Sequence, residues 1–367
     1  MTRNKLLDTA IDLIKIPSVS SDLENLTNII DYTQWFFQSY DNVYIKRFVF
    51  NHKPSIIISN HNLKWADIVL SWHVDVVPES EEWQFSPFIK WNKLYWRWAA
   101  DMKSWVAIMM HLMKKILDEN YKEKNISLIL TSDEEVWWTD WAWALAEQGY
   151  WWDFVMIPDG WSSKDLVVSQ KWLVLFEVEW KWKSCHWSRP WLWDNSIDNI
   201  FKYYNLLKSY FEDPKKVYWA WNWWTTVNIN MINWGKTINM VPDSVTANFD
   251  IRFTSDFSDQ QVFDKIHEFA EYSSCYIKKY IFWSSLYTSE NDEDIIKFKN
   301  IVKEVVWTEE VFLTKEHWWS DWRFFSQKWS KVILQRPDCW NLHSKNEWVN
   351  IDSISLVYQT YLNFIKS

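Results

Sequence analysis

The sequence predicts an α/β protein in which a discontinuous sheet domain is interrupted by a smaller ferredoxin-like α+β domain. Three observations predict this. Strand and helix patterns alternate from residue 43 to 157 and resume after 289, as expected of a sheet covered by helices. Between them the order becomes β-α-β-β-α-β over 173–283, the ferredoxin-like unit. A chain of 367 residues is also long for one domain. The expected boundaries are 1–172 and 289–367 for the two parts of the larger domain and 173–288 for the insert.

The elements follow from local pattern. Leu6, Ala10, Leu13 and Ile14 give the first helix an apolar face, and Pro17 ends it. Residues 28–39 read as a second helix, 43–50 and 55–59 as strands, and 67–71 as a short buried strand. Helix 103–117, strand 126–131, helix 139–148 and strand 154–157 come next. The insert reads as strand 173–180, helix 196–211, strands 225–233 and 245–253, helix 259–272 and strand 275–283. Helix 292–305, a helix near 321–327, strand 331–335 and helix 351–365 complete the chain.

Composition carries an anomaly. There are 34 Trp and 3 Gly, where glycine usually makes up about 7% of a chain. The tryptophans avoid helical and strand stripes and sit among turn formers, as in Trp137-Trp138-Thr139-Asp140, Trp191-Leu192-Trp193-Asp194-Asn195 and Trp318-Trp319-Ser320-Asp321-Trp322. Turns need residues tolerant of φ > 0, which is glycine's use. We therefore read most of these positions as glycine in the natural protein, written as tryptophan where UGA encodes glycine. Trp and Gly pooled make about a tenth of the chain, an ordinary glycine load. A Trp-rich surface for stacking sugars or bases would leave the missing glycines unexplained. Trp35 and Trp83 read as genuine tryptophans.

A net charge of −9 without a basic block argues against nucleic acid or an anionic membrane as partner. Cys185, Cys275 and Cys339 are odd in number and lack C-x-x-C spacing, so they suggest neither a disulfide framework nor a cysteine zinc site. No apolar run approaches the ~18 residues of a membrane span. Residues 1–16 read as an amphipathic helix rather than a signal peptide. A soluble cytoplasmic protein is expected.

Acidic and imidazole groups collect at strand ends. His73 and Asp75 follow strand 67–71, Glu134 and Glu135 follow strand 126–131, and Asp159 follows strand 154–157. Ligands of open α/β sheets gather beyond the carboxyl ends of strands. Asp101, at the mouth of its helix, and His343, after strand 331–335, complete the set. Such imidazole and carboxylate groups suit two Zn²⁺ ions, one carboxylate bridging the pair. Adjacent Glu134 and Glu135 point in different directions from an extended segment, so one can bind metal while the other serves as general base. Each piece alone also has a bland reading: a structural His-x-Asp, a solvated Glu pair, a turn at Asp159-Gly160.

In combination these stretches resemble the M20 metallopeptidases, in particular the succinyl-diaminopimelate desuccinylase and acetylornithine deacetylase group. The stretches are Ser71-Trp72-His73-Val74-Asp75, Tyr95 to Lys103, Thr131-Ser132-Asp133-Glu134-Glu135 and Asn341-Leu342-His343. Cys185-His186-Trp187-Ser188-Arg189-Pro190, Asn239-Met240-Val241-Pro242-Asp243 and Ser320-Asp321-Trp322-Arg323-Phe324 extend the likeness over essentially the whole chain. The family has glycine where 72, 96, 98, 105, 187 and 322 show Trp, in line with the recoding.

The resemblance implies a dizinc amidohydrolase with an inserted lid through which two copies pair, Co²⁺ or Mn²⁺ being able to replace zinc. It implies His73, Asp101 and Asp159 on one metal and Asp101, Glu135 and His343 on the other. Asp75 would orient His73, and Glu134 would be the base. His186 would steady the oxyanion. Arg189, Asn239, Ser320 and Arg323 would meet substrate, and Arg252 would clamp a carboxylate or form a strand-end salt bridge. Asp159 stands where desuccinylases carry Glu and is the residue of the di- and tripeptidase branches. N-succinyl-diaminopimelate is the expected substrate, with acetylornithine or a short peptide as alternatives. A non-catalytic binding relative would be expected to lose ligands or the base, and all are retained.

Overall fold

In the computed structural model the described residues are 2–78, 87–136, 142–192, 194–212, 223–283, 285–317, 330–342 and 344–367. The chain divides into two compact units. The first comprises Met1–Ser169, Leu286–Glu316 and Ser320–Ser367, and the second Gln170–Ser285 and His317–Trp319.

The first unit begins with α1 (Thr2–Ile14) and α2 (Leu23–Phe37), then β1 (Tyr44–Phe50), β2 (Lys53–Ser59), β3 (Trp65–His73), β4 (Phe88–Lys90) and β5 (Lys93–Tyr95). It continues with α3 (Ser104–Asp118), β6 (Ile126–Thr131), α4 (Ala142–Glu147), β7 (Trp151–Ile157) and β8 (Asp165–Gln170). Leu6, Ala10, Leu13 and Ile14 bury the face of α1 that their spacing predicts. Asp22 caps α2, its Oδ1 accepting the Asn25 N–H at 3.1 Å.

The second unit holds β9 (Trp172–Lys181), β10 (Cys185–His186), α5 (Ser196–Phe211), β11 (Thr226–Trp234) and β12 (Met240–Val241). It ends with β13 (Ser244–Phe253), α6 (Asp259–Tyr272) and β14 (Tyr276–Trp283). Its sheet has the order β11-β13-β9-β14 with every pairing antiparallel. Alternate residues of β9 and β13, such as Val174, Phe176, Phe249 and Ile251, pack with Tyr203 of α5 and Ile266 of α6. Ser258 and Gln261 close a capping box at the start of α6.

The chain then returns to the first unit through α7 (Glu293–Val306), β15 (Phe312–Glu316), β16 (Lys331–Leu334), β17 (Cys339–Trp340), β18 (Trp348–Asn350) and α8 (Ile351–Lys366). The large sheet has the order β1-β2-β6-β3-β7-β16-β8-β15. Its central strands β6, β3, β7 and β16 are parallel, while β1, β2 and β8 pair antiparallel. All six residues of β6 are buried, the continuous apolar run expected of a strand covered on both faces. Parallel pairing puts the carboxyl ends of four strands at one edge. A second sheet has the order β17-β18-β5-β4, with every pairing antiparallel.

Several elements differ from expectation. The helix expected over 139–148 is described as Ala142–Glu147, residues 137–141 lying outside the described set. The helix expected near 321–327 lies outside it as well. Strands β4, β5, β8, β10, β12, β15, β17 and β18 were not predicted; all of these but β8 and β15 are two or three residues long, too short to display a period. Among the described residues no helix is long and apolar enough to cross a membrane.

Backbone angles bear on the tryptophans. Trp91 and Asn92 form the two-residue turn between β4 and β5, with φ of 50° and 61°. That is the type I′ hairpin pattern, which demands φ > 0 at both positions and favours Gly and Asn. Trp307 ends α7 in the left-handed conformation at φ 55°, ψ 50°, where glycine is the usual residue. Trp98 has φ 72° beside Asp101. The indoles of Trp96, Trp98 and Trp105 are buried rather than turned out, and Trp98 Nε1 donates to Val77 O at 2.8 Å. Bulky residues at such φ are outliers, in accord with glycine there. Intact mass of the protein from its native source is expected to fall short of the printed formula by one indolylmethyl group per recoded site; a mass matching the printed formula would contradict the recoding.

Candidate metal centre

The centre is built where β3, β6 and β7 end. His73 is the last residue of β3 and pairs in register with Thr131 of β6. The imidazole is buried, and Nδ1 donates to Asp75 O at 2.9 Å, so that in the neutral ring Nε2 is the nitrogen with the lone pair. Nε2 faces Asp101 Oδ1 at 3.4 Å and Glu134 Oε2 at 3.9 Å. Burial alone would lower the basicity of this ring. The carboxylates of Glu134, Asp101 and Asp75 overcome that and raise it well above its ordinary value.

Asp75 is a hub. Its side chain is fully buried, with Oδ1 3.5 Å from His73 Nδ1. It accepts the Glu134 N–H on Oδ1 and the Glu135 N–H on Oδ2, both at 3.1 Å, and the Ser20 hydroxyl on Oδ2 at 2.8 Å. Burial works to raise its pKa, but His73, Ser20 and the Glu135 amide hold it below the usual value. One carboxylate therefore fixes both the exit of β3 and the turn after β6. Ser18 Oγ donates to Val74 O at 2.6 Å, lacing the segment after α1 to the same exit. Lys103, fully buried, donates to Leu13 O at 3.0 Å, Ile16 O at 2.5 Å and Ser18 Oγ at 2.8 Å, tying the end of α1 to the turn carrying Asp101.

Asp101 sits in the turn Ala99–Lys103 before α3, at φ −120°, ψ 90°, and its bond to Met102 is cis. Its amide and that of Ala100 are held by Glu347. Glu134 and Glu135 open the short turn Glu134–Val136. Burial, reinforced by the carboxylates of Glu135, Asp101 and Asp75, pushes Glu134 up to about 8 against the pull of His73. Asp159 follows β7; burial pushes it up to about 7, with Asp101 adding to the rise and Arg336 opposing it. Arg336 Nη1 lies 3.9 Å from Asp159 Oδ1, and its Nε donates to Trp161 O at 3.2 Å.

The structure thus brings His73, Asp75, Asp101 and Glu134 into direct neighbourhood, with Glu135 and Asp159 close enough to shift Glu134 or to feel Asp101. His343 lies outside the described residues, as do Ser320 and Arg323. Among the described residues no three His, Cys, Asp or Glu side chains stand close enough to hold a metal ion as they are. The donor chemistry nevertheless fits one: an imidazole whose Nε2 faces several carboxylates, two of them pushed up by burial, is a set from which a divalent cation would displace the shared protons.

In the second unit His186 pairs with Met240 in the ribbon β10–β12, and Asn239 O accepts the Trp187 N–H at 3.3 Å. His186 Nδ1 is 2.8 Å from Ser188 Oγ, and the Arg189 N–H donates to His186 O at 2.9 Å. Arg252 lies 3.4 Å from Asp250 Oδ2 and donates to His317 O at 3.0 Å, so the strand salt bridge is present. Ser20, Lys103, Arg336 and Glu347 were not singled out from sequence. Arg336 follows a predicted strand directly, a position that could have drawn attention.

A family model described as peptidase family M20/M25/M40 matches residues 69–367. The succinyl-diaminopimelate desuccinylase of Ehrlichia canis is 24% identical over 318 residues, covering 82% of each chain. That of Orientia tsutsugamushi is 24% identical over 380 residues, covering 96% of this chain and 94% of its own. A tripeptidase from Staphylococcus aureus superposes with a TM-score of 0.78 at 17% identity, covering 99% of this chain and 98% of its own. A dinuclear metal-binding M20 peptidase from Bacillus subtilis does so with a TM-score of 0.68 at 13% identity, covering 99% and 97%. With four-fifths of its length matched, this chain, a hydrolase of amide bonds, belongs to peptidase family M20/M25/M40.

Proposed function

We propose that the chain removes the acyl group of an N-acyl amino acid, N-succinyl-diaminopimelate above all, with the help of two zinc ions. The convergence of Asp101 and Glu134 on His73 Nε2 within 4 Å carries this reading. His73, Asp101 and Asp159 would hold one ion, and Asp101, Glu135 and His343 the other. When bound, such a pair polarises the scissile carbonyl and lowers the pKa of water towards ~7. Glu134, left without a metal, takes the proton of the attacking water and passes it to the amide nitrogen as the C–N bond breaks. A carboxylate and an amine leave.

The substrate is supported by the desuccinylases among the relatives. A second reading, a di- or tripeptidase, is favoured by Asp159 in place of Glu. Assay of N-succinyl-diaminopimelate, N-acetylornithine, dipeptides and tripeptides, with and without chelator, separates the two. The highest kcat/KM is expected for N-succinyl-diaminopimelate, with loss of turnover on chelation; a peptide preferred over it would overturn the substrate. We also place the protein in the cytoplasm as a homodimer. The pairing is supported by edge strand β11, which exposes Met231, and by Ile238 beyond it.

A further inference from the structure

Glu347 has no part in the roles given above, yet it grips the segment that presents Asp101. It precedes β18, and its side chain is 2% exposed. Oε1 accepts the N–H of Ala100 at 2.8 Å and of Asp101 at 3.0 Å. Its backbone carbonyl accepts the Trp96 N–H at 3.1 Å. Asp101 departs from helical angles within its turn. Amides at the start of a helix have no partner inside it. A remote carboxylate supplies one here, across 246 residues of sequence.

The arrangement is costly for a residue that only fills space. Oε2 is buried and has no hydrogen-bond partner among the described residues, and a buried carboxyl beside another carboxylate is expensive to desolvate. An apolar side chain would avoid both costs. The same device occurs at Asp75, which grips the consecutive amides of Glu134 and Glu135. Each buried carboxylate thus holds two successive N–H groups next to residues that face His73.

We propose that Glu347 is a positioning residue of the metal centre: by holding the amides of Ala100 and Asp101 it fixes the place and direction of the Asp101 carboxylate. This rests on the reading of Asp101 as the shared metal ligand. Glu347→Met keeps length and removes the acceptor, Glu347→Gln keeps an acceptor oxygen, and Asp101→Asn serves as reference. Purified proteins are stripped of metal, then titrated with Co²⁺ by calorimetry and by visible absorption.

Loss of an outer-shell partner typically costs 10–100-fold in metal affinity, so Glu347→Met should weaken Co²⁺ binding by about that factor and change its spectrum, with Glu347→Gln within about three-fold of wild type. Circular dichroism of the metal-free variants should match wild type. Wild-type affinity and spectrum in Glu347→Met would overturn the proposal, as would equal loss in Glu347→Gln. An unfolded Glu347→Met would also overturn it, by assigning Glu347 to the scaffold. If Asp101→Asn itself binds Co²⁺ normally, the metal-ligand reading fails; if Asp101→Asn loses metal while Glu347→Met does not, this inference alone fails.

Discussion

Glu134→Gln is expected to lower turnover by about 10²–10⁴-fold, the usual worth of general acid–base help, while fold and metal content stay as in wild type. The amide keeps the shape of the carboxyl and its backbone bond to Asp75 Oδ1, so the turn after β6 is undisturbed. What disappears is the ability to take a proton. Glu135→Gln should behave differently: its loss falls on one metal, and added zinc should restore part of the turnover. The comparison is made by single-turnover kinetics beside metal analysis of both variants. Full turnover in Glu134→Gln, or metal loss resembling that of Glu135→Gln, would exchange or remove the two roles.

Asp75→Asn should be the most damaging isosteric change to the scaffold of the centre. The carboxylate is acceptor-only, and both of its oxygens are taken by donors from Ser20, Glu134 and Glu135. An asparagine accepts at one position and points an N–H at a donor in the other. Hydrogen bonds to charged groups contribute about 1.5–3 kcal/mol each, so a loss of roughly 3 kcal/mol in unfolding free energy of the metal-free protein is expected. Metal affinity should fall by about 10–100-fold with it. The pH dependence has a definite sign. The folded pKa of Asp75 lies below its usual 3.8, so its stabilisation is fully present above that value and is lost as pH falls through the folded one. Urea melts of wild type and variant should differ by a constant amount from neutral pH down to about 5 and converge only in stronger acid. A difference that vanished already near neutrality would contradict the role given to the carboxylate.

The chemistry at the strand ends was legible because the apolar runs of β3, β6 and β7 are plain, and a parallel sheet fixes what lies beyond such strands. His73, Glu134 and Asp159 therefore follow such runs in the sequence itself. Asp75 was legible only in part. Its spacing from His73 announces a bond to the ring, but the ring bonds the Asp75 carbonyl, and the carboxylate's grip on two amides depends on how the turn after β6 folds back. Glu347 was illegible for a related reason: its partners are backbone groups distant in sequence, and a backbone amide leaves no mark in the residue type. The small sheet β17-β18-β5-β4, which brings Glu347 to Asp101, is built from strands of two or three residues, too short for a period. The tryptophans at turn positions hid further signals. Read as glycine, Trp91-Asn92 is a plain hairpin turn and Trp307 a plain helix end.

Zinc titration of the chelated protein, read together by calorimetry and by turnover for wild type and Glu134→Gln, separates metal binding from proton transfer. Both proteins are expected to bind two zinc equivalents, with turnover returning only in wild type. Turnover that survives complete removal of metal, or a Glu134→Gln protein that binds fewer equivalents than wild type, would contradict this.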